Sequence, residues 1–228
     1  MSSTTVFHRS QHLAEADLIP IPEGGSPSAA WGAVCPFCDS ADRNAVWNLQ
    51  KQPSVDLMEC NRCSAISASR FPTDITLTKY YQGYYDPDVS PVEDSKITFD
   101  HPDRLAKHIV KRIPISNVGV FNILDFGGGD GTIAYLIAKE LIASGVERVV
   151  VSIIDYSDHV VSSGDSRIDV KKVESISSLG GEKFSLVIAS AVIEHYPAPR
   201  QLVSDLLACV KDGGAFYART PSMIAIRR

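Results

Sequence analysis

Four cysteines stand in two short pairs in the first third of the chain, and their spacing suits a metal ion. Two residues separate Cys35 from Cys38 and Cys60 from Cys63, and 21 residues lie between the pairs. A C-x2-C pair on a tight turn points both sulfurs at one ion, and four thiolates are a common ligand set for structural zinc. The alternatives are unrelated free thiols, or two disulfides in a secreted protein, which the lack of a secretion signal disfavours.

The residues between the two cysteine pairs predict a small antiparallel unit. Segments 46–49 and 55–59 have the residue types of short strands. Strands between two such pairs resemble a zinc ribbon, and the resemblance implies a structural zinc ion in a domain over 31–78. Many ribbons have glycine directly after each pair, where this chain has Asp39 and Ser64.

A second group of residues suited to binding follows an apolar strand predicted over 121–125. It consists of one acid and four glycines: Asp125, Gly127, Gly128, Gly129 and Gly131. Glycines allow a ligand to approach the backbone, and a helical stretch over 133–142 offers free N–H groups at its start. The carboxylate of Asp125 can hold an ammonium or hydroxyl group, so the segment predicts a site for a nucleotide-like ligand.

Two cofactor classes use such a turn. The dinucleotide fingerprint G-x-G-x-x-G/A is satisfied by Gly129, Gly131 and Ala134, so the pattern alone does not exclude NAD. The frame D-x-G-x-G-x-G, which begins at Asp125, favours a ligand with an amino group over a pyrophosphate. A strand over 149–154 then ends at Asp155, where a ribose-binding carboxylate belongs. A tight turn without a ligand is the third interpretation.

The segments that follow separate these classes. A strand over 184–190 precedes the pair Glu194-His195, a helix is predicted over 199–210, and a Gly-Gly turn opens a strand over 215–219. This succession closely resembles the second half of class I S-adenosylmethionine (SAM) methyltransferases. The resemblance covers about residues 97–222 and implies SAM as cofactor.

The resemblance implies an α/β fold with a Rossmann-like parallel sheet in the strand order 3-2-1-4-5, behind the small N-terminal ribbon. The predicted strands are 121–125, 149–154, 168–173, 184–190 and 215–219. The two strands that usually form a C-terminal hairpin are not found, so we predict an incomplete methyltransferase domain over 96–228. An uncovered fifth strand predicts a homo-oligomer formed through that edge.

The resemblance also implies roles for individual residues. The cofactor-binding candidates are Asp125, Gly127, Gly128, Gly129, Gly131, Asp155, Tyr156, Glu174 and Ser190. His195 and Glu194, just past the fourth strand, are the candidates for a general base. Tyr81 is a third catalytic candidate, because it lies in a tyrosine-rich segment, the predicted linker 79–95, that can act as a lid or fasten the linker by apolar contacts.

Composition limits the partners. The net charge of the 228 residues is −5, and segment 31–90 contains five Lys/Arg and seven Asp/Glu. Nucleic-acid binding needs a basic surface, so RNA is disfavoured. No run is apolar enough to span a membrane, so no membrane partner is expected. Residues 1–30 predict a flexible tail without the apolar core of a signal peptide, and we predict a cytoplasmic protein.

These observations predict a SAM-dependent methyltransferase that acts on a small-molecule or sugar-linked acceptor. A ribbon, a linker with two Tyr-Tyr pairs and a SAM domain resemble bacterial methyltransferases of sugars and natural products. The alternatives are an RNA methyltransferase, and a non-catalytic SAM-binding or zinc interaction module. The fifth cysteine, Cys209, is predicted as part of the core.

Overall fold

The protein divides into two compact units, residues 1–97 and 98–228. The computed structural model describes residues 12–20, 32–85, 101–115, 119–157 and 159–220. Each unit is built around one sheet, and the two sheets are of opposite kinds. The first is small and antiparallel, and the second is parallel.

The N-terminal unit contains the predicted ribbon. Its strands are β1 (Arg43–Lys51), β2 (Ser54–Cys60) and β3 (Ile66–Ala68), in the order β1-β2-β3. Both predicted strands are present and longer than expected. The third strand was not predicted, because three residues are too short a run to show a periodicity.

Helix α1 (Asp74–Tyr85) follows the ribbon. It includes the start of the segment predicted as a linker over 79–95, which is therefore helical as far as Tyr85. The rings of Tyr80 and Tyr81 meet edge to face, with centroids 5.2 Å apart. The rest of the predicted linker lies outside the described residues.

Residues 12–20 are fastened to the ribbon, which differs from the predicted flexible tail over 1–30. The side chain of Gln50 exchanges two hydrogen bonds with the backbone of Leu13, each 2.9 Å long. The N–H of Ile19 donates to the carbonyl of Phe71 at 2.8 Å. Leu18 between them is buried, so this segment supplies core as well as polar contacts to the N-terminal unit.

The C-terminal unit is a five-stranded parallel sheet with helices on both faces. Its strands are β4 (Val120–Phe126), β5 (Arg148–Ile154), β6 (Ile168–Lys172), β7 (Phe184–Ser190) and β8 (Val210–Arg219). Its helices are α2 (Pro102–Val110), α3 (Thr132–Ala143) and α4 (Pro199–Ala208). The order β6-β5-β4-β7-β8 is the predicted order 3-2-1-4-5, so the predicted fold class is confirmed.

The apolar core lies in two layers, one on each face of this sheet. Side chains of α2 and α3 pack with Ile123 on one face, and side chains of α4 pack with Leu124 on the other. All seven residues of β7 are buried, as expected for a central parallel strand covered on both faces. Cys209, at the end of α4, is buried in the second layer as predicted.

The last strand differs in detail from the prediction. Val210 pairs with Phe184 and Ala215 pairs with Leu186, so residues 211–214 form a bulge inside β8. We expected this Gly-Gly segment to be a turn in front of a shorter strand. Among the described strands β8 lies at the edge of the sheet. None of the helices in the described ranges is long and apolar enough to cross a membrane.

Candidate functional site

The glycine turn connects the carboxyl end of β4 to the start of α3. Gly127 and Gly131 have φ values of +70° and +82°, in the left-handed region that favours glycine. Gly128 is required for a different reason, since a Cβ atom there would lie 2.5 Å from the carboxyl carbon of Asp125. The backbone of the turn therefore lies directly against this carboxyl group.

Asp125 is buried, with 2% of its surface exposed, and its Oδ2 has no hydrogen-bond partner among the described residues. Burial, together with the charges of Asp155 and Asp130, raises the pKa of Asp125 to about 7. Buried polar atoms nearly always have a partner. A ligand with a positively charged donor would satisfy this carboxyl group.

Asp155, directly after β5, fastens the turn. Its Oδ2 accepts the N–H of Gly129 and its Oδ1 accepts the N–H of Ser157, each at 2.8 Å. The carbonyl of Asp130 accepts the N–H of Val161, also at 2.8 Å. The acid predicted to bind ribose thus also holds the backbone of the glycine turn, a role that its position in the sequence does not indicate.

The segment after β7 packs beside the glycine turn. Ala191 has a φ of +57°, and its N–H donates to the carbonyl of Arg219 at 2.8 Å. A Cβ atom on Gly127 would lie 2.5 Å from Val192, so these two backbone segments are in close contact. The ring of Tyr196 packs on that of Phe126, with centroids 6.0 Å apart.

Two more buried polar atoms at this edge of the sheet have no hydrogen-bond partner among the described residues. They are Oγ of Ser190, at the end of β7, and Oε2 of Glu194, in the 3₁₀ turn Ile193–His195. The fold therefore places the ends of β4, β5 and β7 at one edge with several unsatisfied acceptors.

The remaining predicted site residues are less enclosed. His195, Tyr156 and Glu174 are exposed, and each follows a strand at the same carboxyl edge. Tyr81 lies on α1 in the N-terminal unit. The roles of these four residues remain predictions.

The four cysteines of the ribbon come together as predicted. Their sulfur atoms all lie within 4.8 Å of one another. The Sγ–Sγ distance is 3.6 Å for Cys35 and Cys63 and also for Cys38 and Cys60. Tetrahedral zinc with bonds of about 2.3 Å requires sulfurs about 3.8 Å apart, so this group of four cysteines could hold a metal ion.

The two cysteine pairs lie on equivalent turns. The N–H of Asp39 donates to the carbonyl of Cys35 and the N–H of Ser64 to that of Cys60, both at 2.9 Å. Asp39 and Ser64 have φ values of +60° and +59°. The two residues that replace the usual glycines therefore adopt the glycine-like conformation, and the turn geometry of a ribbon is kept.

Burial tends to raise the pKa of the Cys60 thiol, but the backbone N–H groups of Cys63 and Arg62, together with hydrogen bonds from the Cys38 and Cys63 side chains, outweigh it. The pKa of Cys60 falls to about 6. The thiolate is the form that binds a metal ion. At Cys38 and Cys63 backbone hydrogen bonds also lower the pKa, but burial and hydrogen bonds with other sulfurs outweigh them, and both pKa values are raised. The turn therefore favours the metal-binding thiolate form at Cys60.

Arg43 connects the two cysteine turns, and sequence reasoning missed it. Its guanidinium donates to the carbonyls of Gly32, Val34, Met58 and Ser67 and to the hydroxyl of Ser67. Val34 directly precedes one cysteine turn, and Met58 lies two residues before the other. A single partly buried arginine thus holds together the segments that lead into both pairs. An arginine at the start of a strand is common in protein sequences, so its position alone does not indicate this role.

The C-terminal unit has the architecture of a parallel α/β domain that binds a nucleotide-like cofactor at its central switch point. The family model for "Methyltransferase domain" matches residues 96–227. The chain belongs to this family, and membership implies SAM as the methyl donor. No curated protein matches the chain in sequence.

Two solved structures are similar to parts of the chain. One is MNMC2 from Aquifex aeolicus, with 11% identity and a TM-score of 0.32 over 79% of this chain and 60% of that one. The other is the CurJ carbon methyltransferase, with 19% identity and a TM-score of 0.34 over 59% of this chain and 36% of that one. The chain therefore spans less than two thirds of the length of either structure.

Proposed function

We propose that the protein transfers a methyl group from SAM to a small-molecule or sugar-linked acceptor, with a zinc ion in the ribbon. The observation that carries the cofactor assignment is Asp125, whose buried Oδ2 lacks a partner among the described residues beside the glycine turn. The ammonium group of SAM is a donor of the required charge and size.

The charge around the turn also supports SAM over NAD. Asp125, Asp130 and Asp155 lie close enough that the last two raise the pKa of the first. The carboxylates of Asp130 and Asp155, and that of Asp125 once it is ionised, repel a pyrophosphate and attract a ligand with ammonium and sulfonium charges. The dinucleotide fingerprint at Gly129 is therefore a coincidence of glycine spacing.

Other residues at the edge supply the remaining contacts in this proposal. Asp155 accepts the ribose hydroxyls with lone pairs not used by the Gly129 and Ser157 N–H groups. Tyr156, which is 47% exposed, flanks the adenine. Glu174 lies at the adenine edge, and Ser190 faces the methionine portion.

The chemistry asked of the protein is mainly alignment. When bound, SAM supplies a methyl carbon already activated by its sulfonium, for in-line displacement by the acceptor. The turn and the segment after β7 hold cofactor and acceptor in register. Glu194 and His195 are the candidates to remove a proton from a hydroxyl or carbon acid.

The acidic ribbon supports a small acceptor. Segment 31–90 contains more acids than bases, and the chain has a net charge of −5. An RNA acceptor would need phosphate neutralisation by a basic surface. A small-molecule or sugar-linked acceptor needs no such surface.

Calorimetric titration of the full chain with SAM and with NAD tests the cofactor. We expect SAM to bind and NAD not to bind. Gly128→Ala should abolish SAM binding while the far-UV circular dichroism stays native, because the new methyl group displaces the Asp125 carboxyl. Gly164→Ala is the matched control, since a Cβ atom there meets nothing within 4 Å. Micromolar NAD binding without SAM binding would overturn the assignment.

A screen of nucleotide sugars, small acids and RNA with labelled SAM tests the acceptor. Transfer to a sugar-linked or other small acceptor supports the proposal, and transfer to RNA alone contradicts it. With an acceptor identified, His195→Gln and Glu194→Gln are compared by their pH profiles. Loss of kcat with KM retained identifies the general base.

A further inference from the structure

Asp125 is an unusual carboxyl group even for a binding site. Its Oδ2 is buried without a partner among the described residues, and the backbone of Gly128 lies close against its carboxyl carbon. In an ionised carboxylate at this place, the Oδ2 atom has lost its water without gaining a donor among the described residues. That arrangement is costly unless the group is neutral or a cation is brought to it.

The groups around Asp125 do not supply that cation. The charges that act on it are negative, from Asp155 at the end of β5 and Asp130 in the turn. On the β7 side, Glu194 is another acid with an unsatisfied buried oxygen. The basic side chains that follow or end the strands in the described part of this edge are all exposed: His159, Lys172, His195 and Arg219. The positive end of the α3 helix dipole lies at its N-terminus and partly offsets the negative charge of these acids.

We infer that Asp125 holds a proton near neutral pH when no ligand is bound, and that a SAM ammonium group arriving beside it displaces this proton. Cofactor binding is then coupled to proton release. The proton leaves the Asp125 carboxyl for the solvent, an ammonium–carboxylate pair forms, and no covalent bond to carbon changes. This inference rests on the proposed function, because it takes SAM as the ligand.

The direction in which SAM affinity changes with pH follows from the pKa of Asp125 in the free protein and in the complex. Burial and the neighbouring acids raise the pKa of free Asp125 to about 7, and an adjacent ammonium lowers it in the complex. Between these values the complex carries one proton fewer, so affinity rises with pH. SAM should bind about fivefold more weakly at pH 6 than at pH 7. Above about pH 8 the amino group of the ligand loses its own proton and affinity falls again.

The test is calorimetry of the full zinc-loaded chain with SAM at pH 6, in two buffers with different ionisation heats. At this pH the ligand amine is fully protonated, so any released proton comes from the protein. We expect about 0.9 proton released per SAM bound. Asp125→Asn should bind SAM more weakly and release no proton. Asp130→Asn is the control, since its amide oxygen can still accept the Thr132 N–H, and it should keep most of the release.

The outcomes separate this inference from the proposed function. SAM binding at pH 6 without proton release would overturn the inference and leave the cofactor assignment intact. Failure of SAM to bind at any pH would overturn the assignment. In that case the ¹³C shift of the Asp125 carboxyl in the free protein still decides the inference, and titration near the normal aspartate range would contradict it. If Asp125→Asn does not fold, the proton count of the native chain decides alone.

Discussion

Each of the two units of this protein is stabilised internally by a different kind of interaction. The parallel sheet carries two buried apolar clusters, of 16 and 11 residues. The described part of the N-terminal unit buries only five apolar residues: Leu18, Cys35, Val55, Cys60 and Phe71. Two of those five are candidate metal ligands. The sheet therefore has a core that can support folding, whereas the ribbon has too little buried apolar surface for its size.

Long polar side chains replace part of the missing core in the N-terminal unit. Arg43 joins the two cysteine turns, Gln50 fastens residue 13, and Arg70 binds Glu15. Each bridges segments that are far apart in sequence. The comparison predicts that the N-terminal unit depends on metal and polar contacts, and that the C-terminal unit depends on apolar packing.

Metal removal should have the largest effect. Binding of structural zinc contributes on the order of 10 kcal/mol in small metal-dependent domains, so chelation should unfold the ribbon and leave the parallel sheet folded. Both tryptophans of the chain, Trp31 and Trp47, precede residue 98 in the sequence, where the C-terminal unit begins, and Trp47 lies in β1. Near-UV circular dichroism of tryptophan therefore follows the ribbon, and the far-UV signal follows mainly the larger sheet unit.

Two cysteine variants sharpen this experiment. Cys60→Ser should lose zinc and the near-UV tryptophan signal, whereas Cys209→Ser, in the apolar core, should keep both. Elemental analysis of protein purified without chelator should give one zinc per chain. A ribbon that stays folded without metal would contradict the prediction that the N-terminal unit depends on metal for its stability.

Loss of a core side chain of the C-terminal unit should have the next largest effect on stability, and this effect should be confined to that unit. Leu206 and Leu207 are neighbours on α4, with 0% and 50% of their surfaces exposed. Leu206→Ala should destabilise the sheet unit by about 2–5 kcal/mol. Leu207→Ala should change its stability by about 0.5 kcal/mol or less. Far-UV denaturant unfolding measures both, and zinc retention should be unaffected in either variant.

The parts of the fold that the sequence predicted correctly have strong local signals. Asp125 with its glycines and the Glu194-His195 pair each mark the carboxyl end of a strand. They carry the resemblance to class I SAM methyltransferases, and that resemblance implied the order of the parallel sheet. The cysteine spacing predicted the four-cysteine cluster for the same reason. In each case a few adjacent residues carry the information.

The parts that were missed depend on contacts between distant residues. The bidentate pair between Arg70 and Glu15 spans 55 positions, and it helps to hold a segment whose composition indicates a tail. The bulge in β8 arises because Ala215, not Asp212, pairs with Leu186. For the site, sequence reasoning identified Asp125 and Asp155 but not that Asp155 holds the turn, since hydrogen bonds to Gly129 leave no pattern in the sequence.

Replacing Arg43 should have an intermediate effect on the N-terminal unit. Arg43→Ala leaves several carbonyls without their donor, and we expect a loss of about 2–3 kcal/mol in the stability of the zinc-bound ribbon. Arg43→Lys should recover less than half of this lost stability, because one ammonium group cannot reach both cysteine turns. Arg62→Ala is the control, as Arg62 is an exposed arginine between two of the cysteines. The effect is measured by tryptophan near-UV unfolding curves and by the rate of zinc loss to a chelator. Equal rates of zinc loss for Arg43→Ala and Arg62→Ala would contradict the proposal that Arg43 holds the two cysteine turns together.

The smallest effect should come from the pair between Glu15 and Arg70. The hydrogen bond from Arg70 lowers the pKa of Glu15, partly opposed by burial and aided by the guanidinium charge. A carboxyl group whose pKa is lowered by folding stabilises the fold above its unfolded pKa of about 4.3, and this contribution is lost as the pH falls through the folded value. Because 67% of the Glu15 side chain is exposed, solvent screens the pair and the gain is small.

A double-mutant cycle of Glu15→Gln and Arg70→Met isolates this pair from the other contacts of Arg70, which also donates to the carbonyl of Ile19. We expect a favourable coupling at pH 7 and none at pH 3, measured by tryptophan near-UV unfolding of the zinc-loaded chain or, where acid removes zinc, by proteolysis of residues 12–20. Arg70→Met alone should cost more than Glu15→Gln, because most of the arginine side chain is buried. A coupling that persists unchanged at pH 3 would mean that geometry, and not the charge of Glu15, fastens this segment to the ribbon.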